Sequence, residues 1–244
     1  MSDSSAVTVK LRIPGQWKHP GELIENLPAK VRLTPETLTL ADGTEFEFIP
    51  MQADDQFAKI FRSSLRNPAE PDELVIVDNY TVNVCLIGPG GSMDAAQKLM
   101  DAGTAIIRAG GAGVFIDNSA VGHGGQNWVA MAEDGSSDAL SFAFVAMVGN
   151  RKEAYTMGMH VLGLRDIVMK TSDAEQDEFG LVDVIRYVAR GDKPINDGHI
   201  LMELDGPRFQ AIAEPSKEFP AGSPMHNPFG RLRLVSMKDL AERN

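Results

Sequence analysis

The chain has almost no cysteine. Cys85 is alone among 244 residues, which rules out an internal disulfide and any CxxC redox or zinc motif. It lies within the apolar run Tyr80-Thr81-Val82-Asn83-Val84-Cys85-Leu86-Ile87 and reads as buried and inert. Long apolar runs are missing as well. None approaches the ~20 residues of a membrane span, and the polar start Met1-Ser2-Asp3-Ser4-Ser5 lacks the basic-then-apolar layout of a signal peptide. A cytoplasmic location is the expectation. Basic residues are the minority, 23 against 34 acidic, for a net charge of −11. That balance excludes a nucleic-acid backbone as the main partner, since phosphate binding needs a basic footprint. It suits either simple solubility or an acidic face that docks a basic protein.

What is present is an ordinary globular composition, 43% hydrophobic and 23% charged, with ample length for a core. The organising stretch runs from Asp78 to His123. An apolar run breaks at Gly88-Pro89-Gly90-Gly91-Ser92, a helical segment spans Met93 to Arg108, and a second apolar run follows at Gly113-Val114-Phe115-Ile116. Ser92 is a natural N-cap. Ala95, Leu99, Ala102, Gly103 and Ile106 recur at three- and four-residue spacing, which puts one helical face on a sheet. Strand, helix, strand is the plain reading, with the two strands parallel.

Upstream, Val7, Val9, Leu11 and Ile13 alternate with polar residues as a strand with one buried face. Leu38 and Leu40 before Asp42-Gly43, with Phe46 and Phe48 after it, predict a hairpin closed by a two-residue turn. Phe57, Ile60, Phe61 and Leu65 share a helical face, and Leu74-Val75-Ile76-Val77 reads as the start of a strand. Downstream, Gln126 to Glu133 is a short helix, and Leu140, Phe142, Phe144 and Ala146 alternate as a strand. Tyr155 to Met169 reads as a strand or a kinked strand pair, with Gly158 and Gly163 marking bends. Asp173 to Arg190 predicts one amphipathic helix, stopped by Gly191. Ile200 to Leu204 and Phe209 to Ile212, around Asp205-Gly206, suggest a second hairpin. Pro215 to Gly230 is a long proline-rich loop, and Leu232, Leu234 and Val235 a last strand. The fold class is α+β, with a mixed or largely antiparallel sheet, packed helices and a central β-α-β unit.

Few residues could carry chemistry. Asp117-Asn118-Ser119, with His123 close behind, forms a polar cluster at a strand end, where sites gather in α/β sheets. Serine, histidine and aspartate could serve as nucleophile, base and orienter, but these lie close in sequence and no Gly-x-Ser-x-Gly elbow is present. Asx turns use the same residues, and that reading is preferred. His160 and Asp166 are a second polar pair in an apolar frame. Convergence of His160 and His123 with an aspartate would permit an acid–base or metal site. With no HExxH or regular ligand spacing, no metal and no cofactor are expected. Gly90, Gly91 and Ser92 could offer free N–H groups to an anion. They match neither a Walker loop nor GxGxxG, and a tight turn needs the glycines anyway.

The order Tyr155-Thr156-x-Gly158-Met159-x-x-x-Gly163-Leu164-x-Asp166-Ile167, followed by a helix, resembles the DUF4261 family of uncharacterised bacterial proteins. Leu162 stands where that family usually has an aromatic residue. The resemblance covers about two thirds of the chain. It implies an α+β domain of bacterial origin and carries over no catalytic residues. One α+β domain over 1–244 is expected, with a subdivision into 1–72 and 73–244 as the alternative. The leading functional expectation is a non-catalytic protein-binding module, in one version an immunity-type protein that neutralises a basic toxin. The competing one is a small-molecule binder or hydrolase-like enzyme with its site around Asp117, Asn118, Ser119, His123 and His160.

Overall fold

A computed structural model of the chain describes residues 7–174, 180–191, 194–202 and 208–241. Two mostly antiparallel sheets and their helices form an α+β fold. The first half builds β1 (Thr8–Gly15), α1 (Pro20–Glu25), β2 (Arg32–Leu33), β3 (Thr37–Thr39), β4 (Glu45–Gln52), α2 (Phe57–Ser64), α3 (Pro71–Asp78), β5 (Val82–Pro89), α4 (Met93–Arg108), β6 (Gly113–Ile116), β7 (Val121–Gly124), α5 (Gly125–Asp134) and α6 (Ser137–Phe144). The second half builds β8 (Ala146–Gly149), β9 (Glu153–Met157), a 3-10 turn (Met159–Leu162), β10 (Asp166–Lys170), α7 (Thr171–Ala174), α8 (Leu181–Arg190), β11 (Ile200–Met202), β12 (Arg208–Glu214), β13 (Arg231–Ser236) and α9 (Met237–Ala241). No helix among the described residues is long and apolar enough to cross a membrane.

The first sheet runs β2-β3-β4-β5-β1-β6-β7. β1 sits between β5 and β6 and is antiparallel to both, so β5 and β6 are parallel to each other. The β-α-β unit is therefore present, with the N-terminal strand inserted between its two strands. Strands from before and after residue 72 share this one sheet. Val9, Leu11 and Ile13 point to its inner face and are fully buried. The second sheet runs β11-β12-β13-β10-β9-β8, and its β10–β13 pair is parallel. One hydrophobic core extends from Val9 to Leu234 and includes residues of both sheets, α4, α6 and α8. A smaller cluster (Phe57, Phe61, Val77, Tyr80 and Ala112) lies where α2 and α3 cover part of the first sheet's outer face.

Four local expectations change. Leu74-Val75-Ile76-Val77 is helical, not a strand. Pro71 takes the first turn, where its missing N–H costs nothing, and Glu73 Oε2 accepts the Glu70 N–H at 3.0 Å. The apolar run then divides around the helix, with Val77 buried and Val75 58% exposed. Leu140 to Phe144 is likewise helix α6, capped by Ser136 Oγ, which accepts the Ala139 N–H at 3.1 Å. Leu140, Ala143 and Phe144 go inward while Phe142 is exposed, a spacing of three and four that mimics alternation over a short window. The helix expected over Asp173 to Arg190 is interrupted: α7 covers Thr171–Ala174, Gly180 is extended, and α8 begins at Leu181. Residues 175–179 of that prediction, and the Asp205-Gly206 turn, lie outside the described residues. The hairpin pairing Leu38 with Phe46 is present, but its loop has three residues. Leu40 N–H reaches Thr44 O at 2.9 Å, and Gly43 alone takes a positive φ, 89°, the usual bulged three-residue form.

Close packing explains one internal glycine. A Cβ on Gly103 of α4 would stand 2.8 Å from Trp128 Nε1 and 3.3 Å from Leu11 Cδ1. Trp128 is fully buried and donates its indole N–H to Met100 O at 3.2 Å, so it has nowhere to move. Gly103→Ala gains about 1 kcal/mol of helix propensity and forces an overpacked core, which costs about 1–3 kcal/mol. Urea denaturation should show a net loss of stability. A gain would mean that the helix and Trp128 separate at little cost.

Candidate functional site

Asp117 follows β6 and leaves the sheet on its outer face. Its carboxylate takes the Arg12 guanidinium in a forked pair, Nε to Oδ1 at 2.8 Å and Nη2 to Oδ2 at 2.9 Å. The bond to Asp117 and, against the effect of burial, their attraction hold the arginine pKa above its ordinary value. Asn118 prolongs the ladder past the end of β6: its Oδ1 accepts Lys10 N–H at 3.1 Å and its Nδ2 donates to Thr8 O at 3.0 Å. A turn then closes from Ala120 N–H to Ile116 O at 2.8 Å. Ser119 is buried in it, and among the described residues its Oγ has no hydrogen-bond partner.

His123 pairs across the ladder with Val114 and so belongs to the opposite, inner face. Its Nε2 donates to Ala143 O at 2.9 Å, and its ring lies among Trp128 and Phe142. Burial, reinforced by the nearby Arg66 cation, pushes its pKa down to about 4. The serine–histidine–aspartate arrangement is therefore not assembled: Asp117 and His123 lie on opposite sides of the sheet.

One long-range meeting does occur. His160, in the 3-10 turn, approaches Asn118 Nδ2 at 3.2 Å. Both amide hydrogens of Asn118 are already committed, to Thr8 O and to Pro224 O at 2.9 Å. His160 Nε2 must then carry its own proton and donate to Pro224 O at 3.0 Å, which leaves Nδ1 as a buried acceptor without a partner among the described residues. Burial pushes this histidine down to about 4 as well, with the neighbouring His226 adding to it. The group borders a cleft of about 280 Å³ reached by Lys10, Ser223 and His226.

Asp166 opens β10 and is held apart from His160. Its Oδ1 accepts the Thr156 hydroxyl at 3.1 Å and Met159 N–H at 3.4 Å, and its Oδ2 accepts Asn227 Nδ2 at 2.9 Å. Burial nevertheless outweighs these donors and raises its pKa to about 6. The Gly90 and Gly91 N–H groups are spent on Val7 O (2.8 Å) and Val161 O (2.9 Å), and Ser92 Oγ caps α4 through Ala95 N–H. Neither glycine amide is free for an anion.

The partners that sequence reasoning missed, Asn227 and the Pro224 carbonyl, come from the 215–230 loop, which has no periodicity to read. No three His, Cys, Asp or Glu groups are placed to hold a metal among the described residues. Comparison with models of protein families, curated proteins and solved structures finds no match to this chain.

These buried groups set a pH dependence. Each histidine binds its proton near pH 6.5 when unfolded and near 4 when folded. The unfolded chain is therefore favoured as pH falls from 6.5 to 4, by about 3 kcal/mol for each histidine. Asp166 acts in the opposite sense, since its folded pKa of about 6 lies above the unfolded value of 3.8. Its stabilising contribution grows by about 3 kcal/mol as pH falls through that window and is lost as pH rises through 6. The two histidines outweigh the one carboxyl. Urea midpoints between pH 7 and 4.5 should fall on acidification, and His123→Gln, which keeps an N–H donor without the titration, should flatten that slope. An unchanged slope in the variant would remove His123 from the account.

Proposed function

We propose that the chain is a protein-binding module that works without catalysis and takes a basic partner. The observation that carries this reading is the part of the first sheet's outer face that the described residues leave uncovered. α2 and α3 roof the Phe115 side. Toward β4, Ile49 and Met51 stand side by side, each 37% exposed, on the same face as the exposed carboxylates Glu45 and Glu47. The cross-strand rows Glu47–Ile87–Lys10 and Ile49–Cys85–Arg12 continue that face across three strands. Adjacent apolar side chains bordered by charge resemble the core and rim of an interface. The excess of 34 acidic over 23 basic residues favours a basic partner and speeds its approach.

Support also comes from the fate of the polar candidates. Asp117, Asn118, His123 and Asp166 all make structural hydrogen bonds, and Asp117 and His123 share no partner. An immunity-type role against a basic toxin is the finer version of the same reading.

The test is capture from an extract of the source cells by the intact chain and by a Glu45→Lys/Glu47→Lys variant, followed by titration of the purified captured protein. The expected partner is basic, binds less tightly as salt rises, and loses at least tenfold in affinity for the variant. A partner that is acidic, or that binds both forms equally, would overturn the reading.

A further inference from the structure

A second feature of the first sheet lies on its inner face. α4 covers that face around Leu86, Leu11 and Val114. At the end marked by Phe48, Pro50, Val82 and Val84 the cover passes to the short α1, with Leu23 and Ile24. Between α1 and this end of the sheet is a cleft of about 570 Å³, within the ~300–1,000 Å³ of small-molecule sites. Its walls include Trp17, Leu23, Leu33, Phe48, Val82 and Val84. Trp17 is fixed by its indole N–H, which donates to Ala109 O at 2.7 Å, so this wall is preformed.

The polar groups around the cleft are few, and most are spent. Thr81 Oγ1 donates to Trp17 O at 2.8 Å and Thr34 Oγ1 to Thr37 O at 3.3 Å. Glu22, the carboxylate nearest in the chain, accepts the backbone N–H of Lys18 at 2.7 Å. Two donors remain. Lys18 contributes an exposed ammonium group. His19 Nδ1 accepts Glu22 N–H at 3.2 Å, which puts the proton of the neutral ring on Nε2.

We propose that this cleft binds a small amphiphilic carboxylate, with its apolar chain in the cleft and its head group against Lys18 and His19 Nε2–H. The apolar walls require an apolar body, and a cation beside an N–H donor complements a two-oxygen anion better than a neutral head. This proposal is independent of the outer-face interface, because the two lie on opposite faces of the sheet.

Dodecanoate below its micellar concentration is the probe, titrated into the full chain by calorimetry, with tryptophan emission as a second readout. Saturable one-to-one binding and an emission change from Trp17 are expected. Leu33→Trp, which fills the cleft from a half-buried position, should weaken binding at least tenfold. Ile24→Glu, at a 50% exposed position where the fold is not at risk, should weaken it as well. Lys18→Glu should weaken dodecanoate at least fivefold while leaving 1-dodecanol unchanged. Absence of saturable binding, or equal affinity in the Ile24→Glu chain, would overturn the site. Equal affinity of the Lys18→Glu chain for dodecanoate would overturn the carboxylate assignment.

Discussion

The structure turns on the seam between its two sheets, where backbone meets backbone with no side chain between. The Gly90-Gly91 turn leaving β5 gives one N–H to Val7 and the other to Val161 of the 3-10 turn. On the other side of that contact, a Cβ on Gly163 would stand 2.4 Å from Gly91 O, so the two turns approach closer than any side chain permits. Asn118 completes the seam, since one side-chain amide ties β1 to the 215–230 loop and lies against His160. Buried backbone and amide groups need partners. Satisfying them here fixes how the half built on β5 and α4 meets the half built on β9, β10 and β13.

That seam accounts for the residues that looked chemical in the sequence. Polar groups close to glycines at a strand end are what a catalytic loop requires, and also what a tight junction between sheets requires. Asp117, Asn118, His123 and Asp166 each meet a guanidinium, a carbonyl or an amide set by the fold. The atoms of this group that find no partner among the described residues, Ser119 Oγ and His160 Nδ1, belong to separate side chains with no bond between them.

Local periodicity carried most of the fold. Val9, Leu11 and Ile13, the small residues of α4, and Leu38 against Phe46 each declare a face over several residues, and each lands on it. Two of the misreadings came where the window was short. Leu74 to Val77 and Leu140 to Phe144 are brief apolar stretches whose helical state depends on Glu70, Glu73 and Ser136 at their starts, and strand propensity of β-branched or aromatic residues obscured those caps. Asn118 and His160 were grouped in one candidate site, but what joins them was out of reach for a different reason. Their contact spans 42 residues and is brokered by Pro224, in a loop with no repeating pattern. The cleft beside Trp17 was equally silent, because segments far apart in the chain, around Trp17, Leu33, Phe48 and Val82, frame it and no motif marks it.

The two proposed binding surfaces share a physical origin in β4. β3 pairs with Glu45 to Glu47 and β5 with Glu47 to Gln52, so Glu47 has a partner strand on both sides and from Ile49 to Gln52 only β5 remains. Phe48 N–H points to the open side, bonding Glu36 O at 2.8 Å, and alternation along a strand points the next such position, Pro50, the same way. Proline has no N–H to offer there, so it is tolerated and it also blocks a further strand from adding to the edge. The half-strand is thus protected against edge pairing while its two faces stay thinly covered: Ile49 and Met51 outward, Phe48 and Pro50 toward the cleft. A strand guarded against non-specific pairing can expose apolar side chains on both faces without inviting aggregation, and that is the condition under which such side chains can serve recognition.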